Sequence, residues 1–388
     1  MVPCMAATYE RTSPRERTRE ELFQLIRSRD EVTRTEIVEL TGMSRSTVNN
    51  AIGRLLAEGR VTETEIQAKG PGSGSGRPAT GLKAVASGAP VAAIDFGHNH
   101  VHVALADALG RALGDERVTL DVDLRATDAM DIGADLLGKL RQEHRVDRLS
   151  SLVAGIPGPL DARTGLVRSP TILSSWVGLA PAQELERRIG APVIVQNDAM
   201  LGAYGELKAG AGRHHRSFLY IKASHGIGAG LVIDGKPYAG ATGLAGEIGH
   251  THLSGRTELC RCGNRGCLEA VVSVQSLLEQ VAHTRPNADP GSITLNALDD
   301  TITHRILNEA GRTLGGVLAG LCNLLNPDAL IIGGELGATG IPLLDGVAAS
   351  IQRHTQPATA AAMEILPASL GVRAELTGAL QLAATMAM

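Results

Sequence analysis

The stretch from Glu247 to Glu269, EIGHTHLSGRTELCRCGNRGCLE, carries the most specific pattern in the chain. It holds four groups with affinity for zinc, at gaps of ten, two and five residues: His250, Cys260, Cys262 and Cys267. A structural zinc site takes four such ligands tetrahedrally and leaves no coordination position open. The stretch therefore predicts a closed, structural zinc site.

Two glycines, Gly263 and Gly266, allow a tight turn between the second and third cysteines, so that three sulfur atoms can converge. A disulfide fits less well, because Cys260 and Cys262 are too close in the chain to bridge without strain and one cysteine would be left over. Three reduced cysteines in an ordinary loop are the alternative interpretation.

The motifs EIGH and CRCGNRGCLE together resemble the double signature of the ROK family of sugar kinases and sugar-responsive repressors. The resemblance implies that Glu247, His250 and Glu269 contact a sugar, while the histidine and the three cysteines hold zinc. His250 would then serve both purposes, with the metal on one ring nitrogen and the sugar near the other.

Length and charge indicate a small nucleic-acid-binding module joined to a larger body. The chain has 388 residues, of which 43% are hydrophobic, which suffices for two or three domains with real cores. Residues 1–85 carry 13 Lys and Arg against 11 Asp and Glu, whereas the remainder carries 24 against 30. A slightly basic front on an acidic body is typical of such an arrangement.

The sequence also bears on the cellular compartment. It has no run of eighteen apolar residues and no apolar signal core near its start. Three of its five cysteines cluster at the expected metal site, which fits a reducing compartment. We therefore expect a cytoplasmic protein with no membrane partner.

The first sixty residues follow a helix-turn-helix pattern. Apolar spacing predicts one helix from Thr18 to Arg29, a second from Thr33 to Gly42, and a third that Ser44 caps. RVTETEI and GPGSGSGRPATGLKA then suit the two strands and tip of a wing. A plain three-helix bundle is the alternative.

The third helix would be the recognition helix. One of its faces is polar and can bond base edges and phosphates: Arg45, Ser46, Thr47, Asn49, Asn50 and Arg54. Arg77, between Gly76 and Pro78, would lie at the wing tip and suits a narrow A·T-rich minor groove. An arginine in a flexible linker is the alternative.

The rest of the chain alternates strands and helices, which predicts the α/β class with two lobes. PVAAIDFGHNHVHVALAD gives two adjacent strands that turn at Gly97 to His100, with Asp95 near the tip. SLVAGIPG, APVIVQND and SFLYIKAS are further strands. Ligands of such sheets bind at the strand ends.

This arrangement resembles the actin-like sugar-kinase fold that the ROK family uses. We therefore expect a winged helix-turn-helix domain and linker over residues 1–85 and a first α/β lobe over 90–200. A second lobe over 201–374 would carry the zinc loop, and residues 375–388 would return to complete the first lobe.

The motif VQNDA resembles the catalytic aspartate strand of the family. The resemblance makes Asp198 the base that deprotonates a sugar hydroxyl, and Asn197 a sugar contact. Without the resemblance, Asp198 would be interpreted as the N-cap of a helix after a strand.

Departures from the kinase pattern fall on the phosphate loops. Asn99 stands where kinases of the family have threonine, and Met200 where asparagine is common. Their second phosphate loop, GTGIG, is here Ser224 to Gly228 with His225 in the place of threonine. A histidine fills the space through which backbone N–H groups approach phosphates, which argues against ATP as a cofactor. A protonated histidine could instead pair with phosphate.

Together these patterns predict a sugar-responsive transcriptional regulator, most simply a repressor, that binds operator DNA as a homodimer or tetramer. Asp198 favours a second hypothesis, an active ATP-dependent hexose kinase that carries a DNA-binding module. A constitutive DNA binder with a dead sugar pocket is the third. The sequence does not fix the identity of the sugar.

Overall fold

A computed structural model of the chain describes residues 13–27, 29, 31–65, 80–168, 171–285 and 294–387. Its main elements form an N-terminal domain with a three-stranded sheet, followed by a body with two five-stranded sheets. The predicted α/β class is confirmed, with a winged helix-turn-helix domain ahead of a two-lobed body.

The N-terminal domain has its helices close to where the sequence predicts them, although the first runs from Pro14 to Arg27 rather than from Thr18 to Arg29. The capping box of Thr33 and Glu36 starts the second helix, Gly42 at φ 66° ends it, and Ser44 caps the third. In chain order the elements are α1 Pro14–Arg27, β1 Val32–Thr33, α2 Arg34–Thr41, α3 Arg45–Ala57, β2 Val61–Glu65 and β3 Thr80–Ala84. Strand β3 lies between the other two and pairs antiparallel with both.

The first body sheet has the strand order β10-β7-β4-β5-β6. Strands β10, β7 and β4 run parallel, and β5 and β6 continue the sheet antiparallel. Strand β6 was not predicted, because its sequence ALGDERVT is mostly exposed and shows no apolar pattern. The elements are β4 Val91–Gly97, β5 His100–Ala106, β6 Ala112–Thr119, α4 Ala126–Glu143, β7 Ser151–Ile156, β8 Leu160–Asp161, β9 Leu166–Val167, α5 Pro181–Ile189 and β10 Val193–Asn197.

The second body sheet has the order β13-β12-β11-β14-β15, with β11, β14 and β15 parallel. Its apolar core lies under the long helix α9 and its neighbour α11. The elements are α6 Asp198–Ala209, β11 Phe218–Ala223, β12 Ile227–Ile233, β13 Lys236–Tyr238, α7 Leu268–Val272, α8 Val274–His283, α9 Thr301–Leu325, β14 Ala329–Gly333, α10 Gly334–Gly337, α11 Ile341–His354, α12 Pro357–Ala362, β15 Glu364–Pro367 and α13 Ala374–Met386.

Helices α6 and α13 pack closely against each other beside the cleft between the lobes. A Cβ added at Gly378 would lie 1.8 Å from the carbonyl oxygen of Leu201, and one at Gly205 would lie 2.3 Å from that of Ala374. Only glycine permits backbones to approach so closely. Helix α13 also buries its apolar face on the first sheet, so the end of the chain returns to the first lobe.

The N-terminal domain contacts the body through Arg27 of α1. Its buried guanidinium donates to the carbonyl of Leu109 at 3.0 Å and to Oε1 of Gln381 on α13 at 2.9 Å. Leu109 itself packs into the apolar core of the N-terminal domain. Among the described residues, no helix combines the length and apolar character needed to cross a membrane.

Candidate functional site

A cavity of about 280 Å³ opens where strands of the two sheets end. Residues from both lobes line it, including Asp95 of β4, Asn197 at the end of β10 and Lys222 of β11. Strand ends of an open α/β sheet are the usual place for a ligand. The predicted sugar residues all line this cavity: Asn197, Asp198, Glu247, His250 and Glu269. We call these five residues the carboxylate half of the cleft.

The turn from β10 into α6 fixes two members of the carboxylate half. Asn197 is the N-cap of α6, and its Oδ1 accepts the backbone N–H of Met200 at 3.1 Å. Asp198 follows as the first helical residue, and its Oδ1 accepts the N–H of Ala199 at 2.6 Å. The N-cap of α6 is therefore Asn197, one residue before Asp198, which the sequence without the family resemblance indicates as the N-cap. Asp198 keeps Oδ2 for other partners.

Glu247 and Glu269 bring two further carboxyl groups to the cavity. Burial, together with the charges of Asp198 and Glu269, raises the pKa of Glu247 to about 7. One carboxylate oxygen of Glu269 is used in a hydrogen bond within the protein: its Oε2 accepts the backbone N–H of Ile227 at 3.0 Å. Three acidic groups so close together suit a ligand with several hydroxyl donors.

The predicted metal ligands converge beside this half. Their ligand atoms all lie within 4.8 Å of one another. The Sγ of Cys260 is 3.7 Å from Nδ1 of His250, and the Sγ atoms of Cys262 and Cys267 are 3.7 Å apart. Gly266, at φ 69°, makes the turn that this requires, and a Cβ there would lie 2.5 Å from the carbonyl oxygen of Arg256. One imidazole and three thiols in this arrangement suit a tetrahedral metal ion.

His250 belongs to both groups of residues. Its Nδ1 faces the cysteines, whereas its Nε2 is 3.8 Å from Oε2 of Glu247 on the cavity side. The ring therefore presents one nitrogen to the thiol cluster and the other to the cavity. The double role that the family resemblance implies for His250, as a metal ligand and a sugar contact, stays a prediction.

A second group of polar residues occupies the opposite side of the cavity, and we call it the histidine half: His98, Asn99, His100 and His225. Nδ2 of Asn99 and Nε2 of His225 are 3.4 Å apart, and Nδ1 of His225 is 3.9 Å from Oε2 of Glu335. Burial lowers the pKa of His225, although the charge of Glu335 opposes this. The neutral form of His225 is therefore favoured.

The glycine turn after β11 has little free space for an anion. A Cβ at Gly226 would lie 3.1 Å from both Nε2 of His98 and Oε2 of Glu269. The next N–H of the turn, on Ile227, is already bonded to that carboxylate. Backbone N–H groups hold phosphates only where they are free and accessible. The N–H of Ile227 is therefore not free to bind an anion in this arrangement.

Lys222 and Glu375 also line the cavity, and sequence reasoning missed both. Nζ of Lys222 lies 2.7 Å from Oδ2 of Asp198 and 3.9 Å from Oε1 of Glu375. A lysine in the apolar strand SFLYIKAS and a glutamate at the start of the apolar C-terminal helix were the available signals. A buried charge of this kind needs a partner, and such partners cluster at functional sites.

The recognition face of α3 is open to solvent. Its predicted DNA-contacting side chains are all exposed: Arg45, Ser46, Thr47, Asn49, Asn50 and Arg54. Val48 and Ile52 of the same helix are fully buried, so the helix is amphipathic as predicted. Arg77, the predicted wing-tip residue, lies outside the described residues.

Comparisons with known proteins agree on both parts of the chain. The ROK family pattern matches residues 91–386, and a winged helix-turn-helix DNA-binding pattern matches residues 15–62. The xylose repressor of Bacillus spizizenii is 28% identical over 365 residues, which cover 92% of each chain. A glucokinase of Streptomyces coelicolor is 30% identical over 75% of this chain and 96% of its own.

Among solved structures, a ROK family transcriptional regulator described as a homologue of the Escherichia coli MLC protein is similar in fold. It has a TM-score of 0.67 at 22% identity and covers 94% of this chain and 97% of its own. The family pattern extends over most of the chain and includes every residue of the cleft described above. This chain belongs to the ROK family.

Proposed function

We propose that the chain is a sugar-responsive transcriptional regulator and not an enzyme. One observation carries the proposal: an exposed recognition helix occurs in the same chain as a cleft that is lined by the carboxylate half and whose glycine turn is crowded. Similarity over 92% of the chain to a protein named xylose repressor supports it. Most simply, the protein represses transcription until a sugar changes its affinity for DNA.

Operator binding would place α3 in the major groove. Arg45 and Arg54 would bond phosphates or guanine edges, and Asn49 and Asn50 would reach adenine edges. Arg77 would add a contact from the wing tip. Selection of duplexes from a random pool, followed by fluorescence anisotropy, tests this. We expect Asn49→Ala to weaken binding by roughly 1–3 kcal/mol and to relax the selected sequence. Arg216→Ala, which changes an exposed body arginine, is the matched control.

Sugar binding would use the carboxylate half. Asp198, Glu247 and Glu269 would accept hydrogen bonds from hydroxyl groups, with Asn197 and Nε2 of His250 completing the set. Thermal unfolding against a panel of monosaccharides is the direct experiment, because a ligand of the native state raises its stability. The proposal expects at least one sugar to shift the transition of the wild type but not that of Glu247→Gln. If no sugar does so, the chain is not sugar-responsive.

We propose zinc as the ion for His250 and the three cysteines, in a structural role. The chemistry of the donor set supports zinc, since one imidazole and three thiolates form a closed tetrahedral site. The ion would fix the loop that carries Glu247 and Glu269. Metal analysis of purified protein should find about one zinc per chain. A substoichiometric or different metal would contradict the assignment.

We further propose a homodimer, with tetramers as the higher form. A two-fold dimer presents two recognition helices to a palindromic operator. Exposed apolar side chains at Ile302, Leu324 and Ile341 on α9 and α11 offer contact surface. Light scattering after size-exclusion chromatography measures the oligomeric state.

The domain limits of 1–85, 90–200 with 375–388, and 201–374 are likewise proposed. Limited proteolysis near residue 85 would test the first of these limits.

An ATP-dependent hexose kinase remains the second candidate, because Asp198 stands where a sugar base is needed and a glucokinase is 30% identical over 75% of the chain. The pairing of Asp198 with Lys222 and the filled glycine turn oppose it. A coupled assay with ATP and the sugar panel decides between them. Sugar-dependent turnover that Asp198→Asn abolishes would replace the regulator hypothesis with the kinase.

A further inference from the structure

The floor of the cleft holds one ammonium group among several acids. Lys222 projects from β11, and its side chain is only 15% exposed. Besides Asp198 and Glu375, the charge of Asp95 acts on it. Asp95 is buried, and its Oδ1 has no hydrogen-bond partner in the described part of the chain. These three acids come from three different elements, β4, α6 and α13.

The ammonium of Lys222 offsets part of the negative charge of this group, and His100, which is bonded to Oδ2 of Asp95 at 3.0 Å, offsets another part. Burial alone would lower the pKa of Lys222, but the three acids outweigh burial and raise it, so the amine stays protonated. Burial also raises the pKa of Glu375 to about 7, with Lys222 opposing and the two aspartates adding to the rise. The hydroxyl of Tyr220, on the same strand, donates to Glu375 Oε1 at 3.0 Å. Without the ammonium, Oδ2 of Asp198 would lose its partner at 2.7 Å, whereas Asp95 would keep its bond to Nε2 of His100 and Glu375 its bond to Tyr220.

Sites that bring carboxylates together around phosphates normally recruit a divalent cation. Here a side chain supplies the positive charge, with Nζ of Lys222 at 2.7 Å from Oδ2 of Asp198. We propose that Lys222 is a resident cation of the cleft, which holds the carboxylate of Asp198 in position. It is a positioning residue, because it acts on a ligand through Asp198.

The position of Lys222 also joins the two lobes. Its strand belongs to the second sheet, whereas Asp198 follows directly on the first sheet and α13, which carries Glu375, packs on the first sheet. The pair of 2.7 Å therefore ties the lobes together across the floor of the cavity. Asp198 is linked to both lobes. A sugar that formed a hydrogen bond with Asp198 would therefore couple binding of the sugar to the relative arrangement of the two lobes.

Lys222→Met tests the proposal, because methionine keeps most of the length of the side chain and removes its charge. Lys222 lowers the pKa of Asp95 and of Glu375, so its loss raises the pKa of both in the folded state, and that of Glu375 already lies above its ordinary value. The folded variant then binds more protons than the unfolded chain, so its stability relative to wild type falls as pH rises. The charged and titratable groups that act on Lys222 are Asp95, Asp198, Glu375 and His225. His100 is bonded to Oδ2 of Asp95 and stays in place in the variant.

The experiment follows thermal unfolding of wild type, Lys222→Met, Lys222→Arg and the exposed control Lys139→Ala between about pH 5 and pH 8. We expect the deficit of Lys222→Met to grow by at least about tenfold in the unfolding equilibrium constant over this range. Lys222→Arg should restore most of the wild-type behaviour. A deficit that is the same at every pH would show a packing role only and would overturn the proposal.

A second measurement uses Mg²⁺ alone at the upper pH. Millimolar Mg²⁺ should stabilise Lys222→Met by neutralising the acids that faced the lysine and should leave wild type unchanged. If Lys222→Met does not fold, Lys222→Met combined with Glu375→Gln removes one acid and should fold. Failure of this double variant at every pH, or equal Mg²⁺ effects on wild type and variant, would sink the resident-cation proposal. Neither experiment needs a sugar, so the regulator proposal stands or falls separately.

Discussion

The carboxylate half and the histidine half of the cleft are built at the same strand ends, but different interactions hold them. A loop with one histidine and three cysteines clustered together lies beside the carboxylate half, whose acids line the cavity. In the histidine half, each histidine contacts an acid outside the group: His98 contacts Asp123, His100 contacts Asp95 and His225 contacts Glu335. The comparison teaches that acids lining one cavity can be left open to it in one place and paired with histidines in another.

Two contacts keep the halves from being independent. Glu269 belongs to the carboxylate half, yet its Oε2 accepts the N–H of Ile227 in the glycine turn. Arg261 of the metal loop contacts Asp123, which is hydrogen-bonded to His98. The metal loop is therefore connected to the histidine half, and changes to it should spread further than changes to a histidine.

The largest effect should come from removing a metal ligand. Cys262→Ala leaves three ligands for the proposed zinc, and we expect metal content to fall from about one to near zero with a loss of several kcal/mol of stability. Metal analysis and thermal unfolding measure both. Cys322→Ala, which changes a buried cysteine of α9, should keep its metal. A Cys262→Ala protein with unchanged metal content would show that the cluster is not a metal site.

Glu375 offers the next largest effect, through pH. Its folded pKa of about 7 lies above the ordinary value of 4.5, so the folded state binds the extra proton between these pH values. Stability therefore falls as pH rises from about 4.5 to about 7. Glu375→Gln removes this loss of stability. At high pH its free energy of unfolding should exceed that of wild type by at most about 3 kcal/mol.

The measurement is thermal or urea unfolding of both proteins across this pH range, with the exposed Glu364→Gln as the control. The gain should be absent at low pH, where both states are protonated. A gain that does not depend on pH would mean that Glu375 is not held partly protonated by burial, and the floor of the cleft would then carry more charge than we infer.

Sequence patterns predicted the parts of this molecule that depend on local chemistry. The caps at Thr33, Gly42 and Ser44 mark the helices of the N-terminal domain. The spacing of the metal-loop residues likewise predicted a convergence that the fold provides. Local signals of this kind survive folding because they concern neighbours in the chain.

Contacts between distant elements could not be predicted in this way. Lys222 and Glu375 are 153 positions apart by their numbers, and nothing local shows that both approach Asp198. The sequence of strand β6 shows no alternation of apolar and polar residues, because β6 is an exposed edge strand. It belongs to the sheet through its antiparallel pairing with β5. The roles of Asn197 and Asp198 at the start of α6 were predicted only through resemblance to a family. Charge pairing across lobes needs the fold itself.

A smaller effect should follow from Glu269→Gln, which tests the link between the halves. The amide can still accept the N–H of Ile227, but it loses the charge that strengthens this bond. We expect a loss of about 1 kcal/mol in stability, with metal content unchanged. Glu269→Ala should lose more, because the N–H is left without its partner. Equal stability of both variants and wild type in unfolding experiments would mean that Glu269 does not support the turn.

The smallest effect should come from the histidine half alone. His225→Thr removes contacts of 3.4 Å to Asn99 and 3.9 Å to Glu335, both of them weak, so stability should change by less than about 1 kcal/mol. Metal content and the response to a sugar should stay as in wild type. ATP turnover in a coupled assay should remain at background, because Lys222 still pairs with Asp198. The exposed variant His283→Thr is the control. If His225→Thr gained sugar-dependent ATP turnover that His283→Thr lacked, the difference between a regulator and a kinase would depend on this one side chain. Asp198 would then act as a base even though it is paired with Lys222.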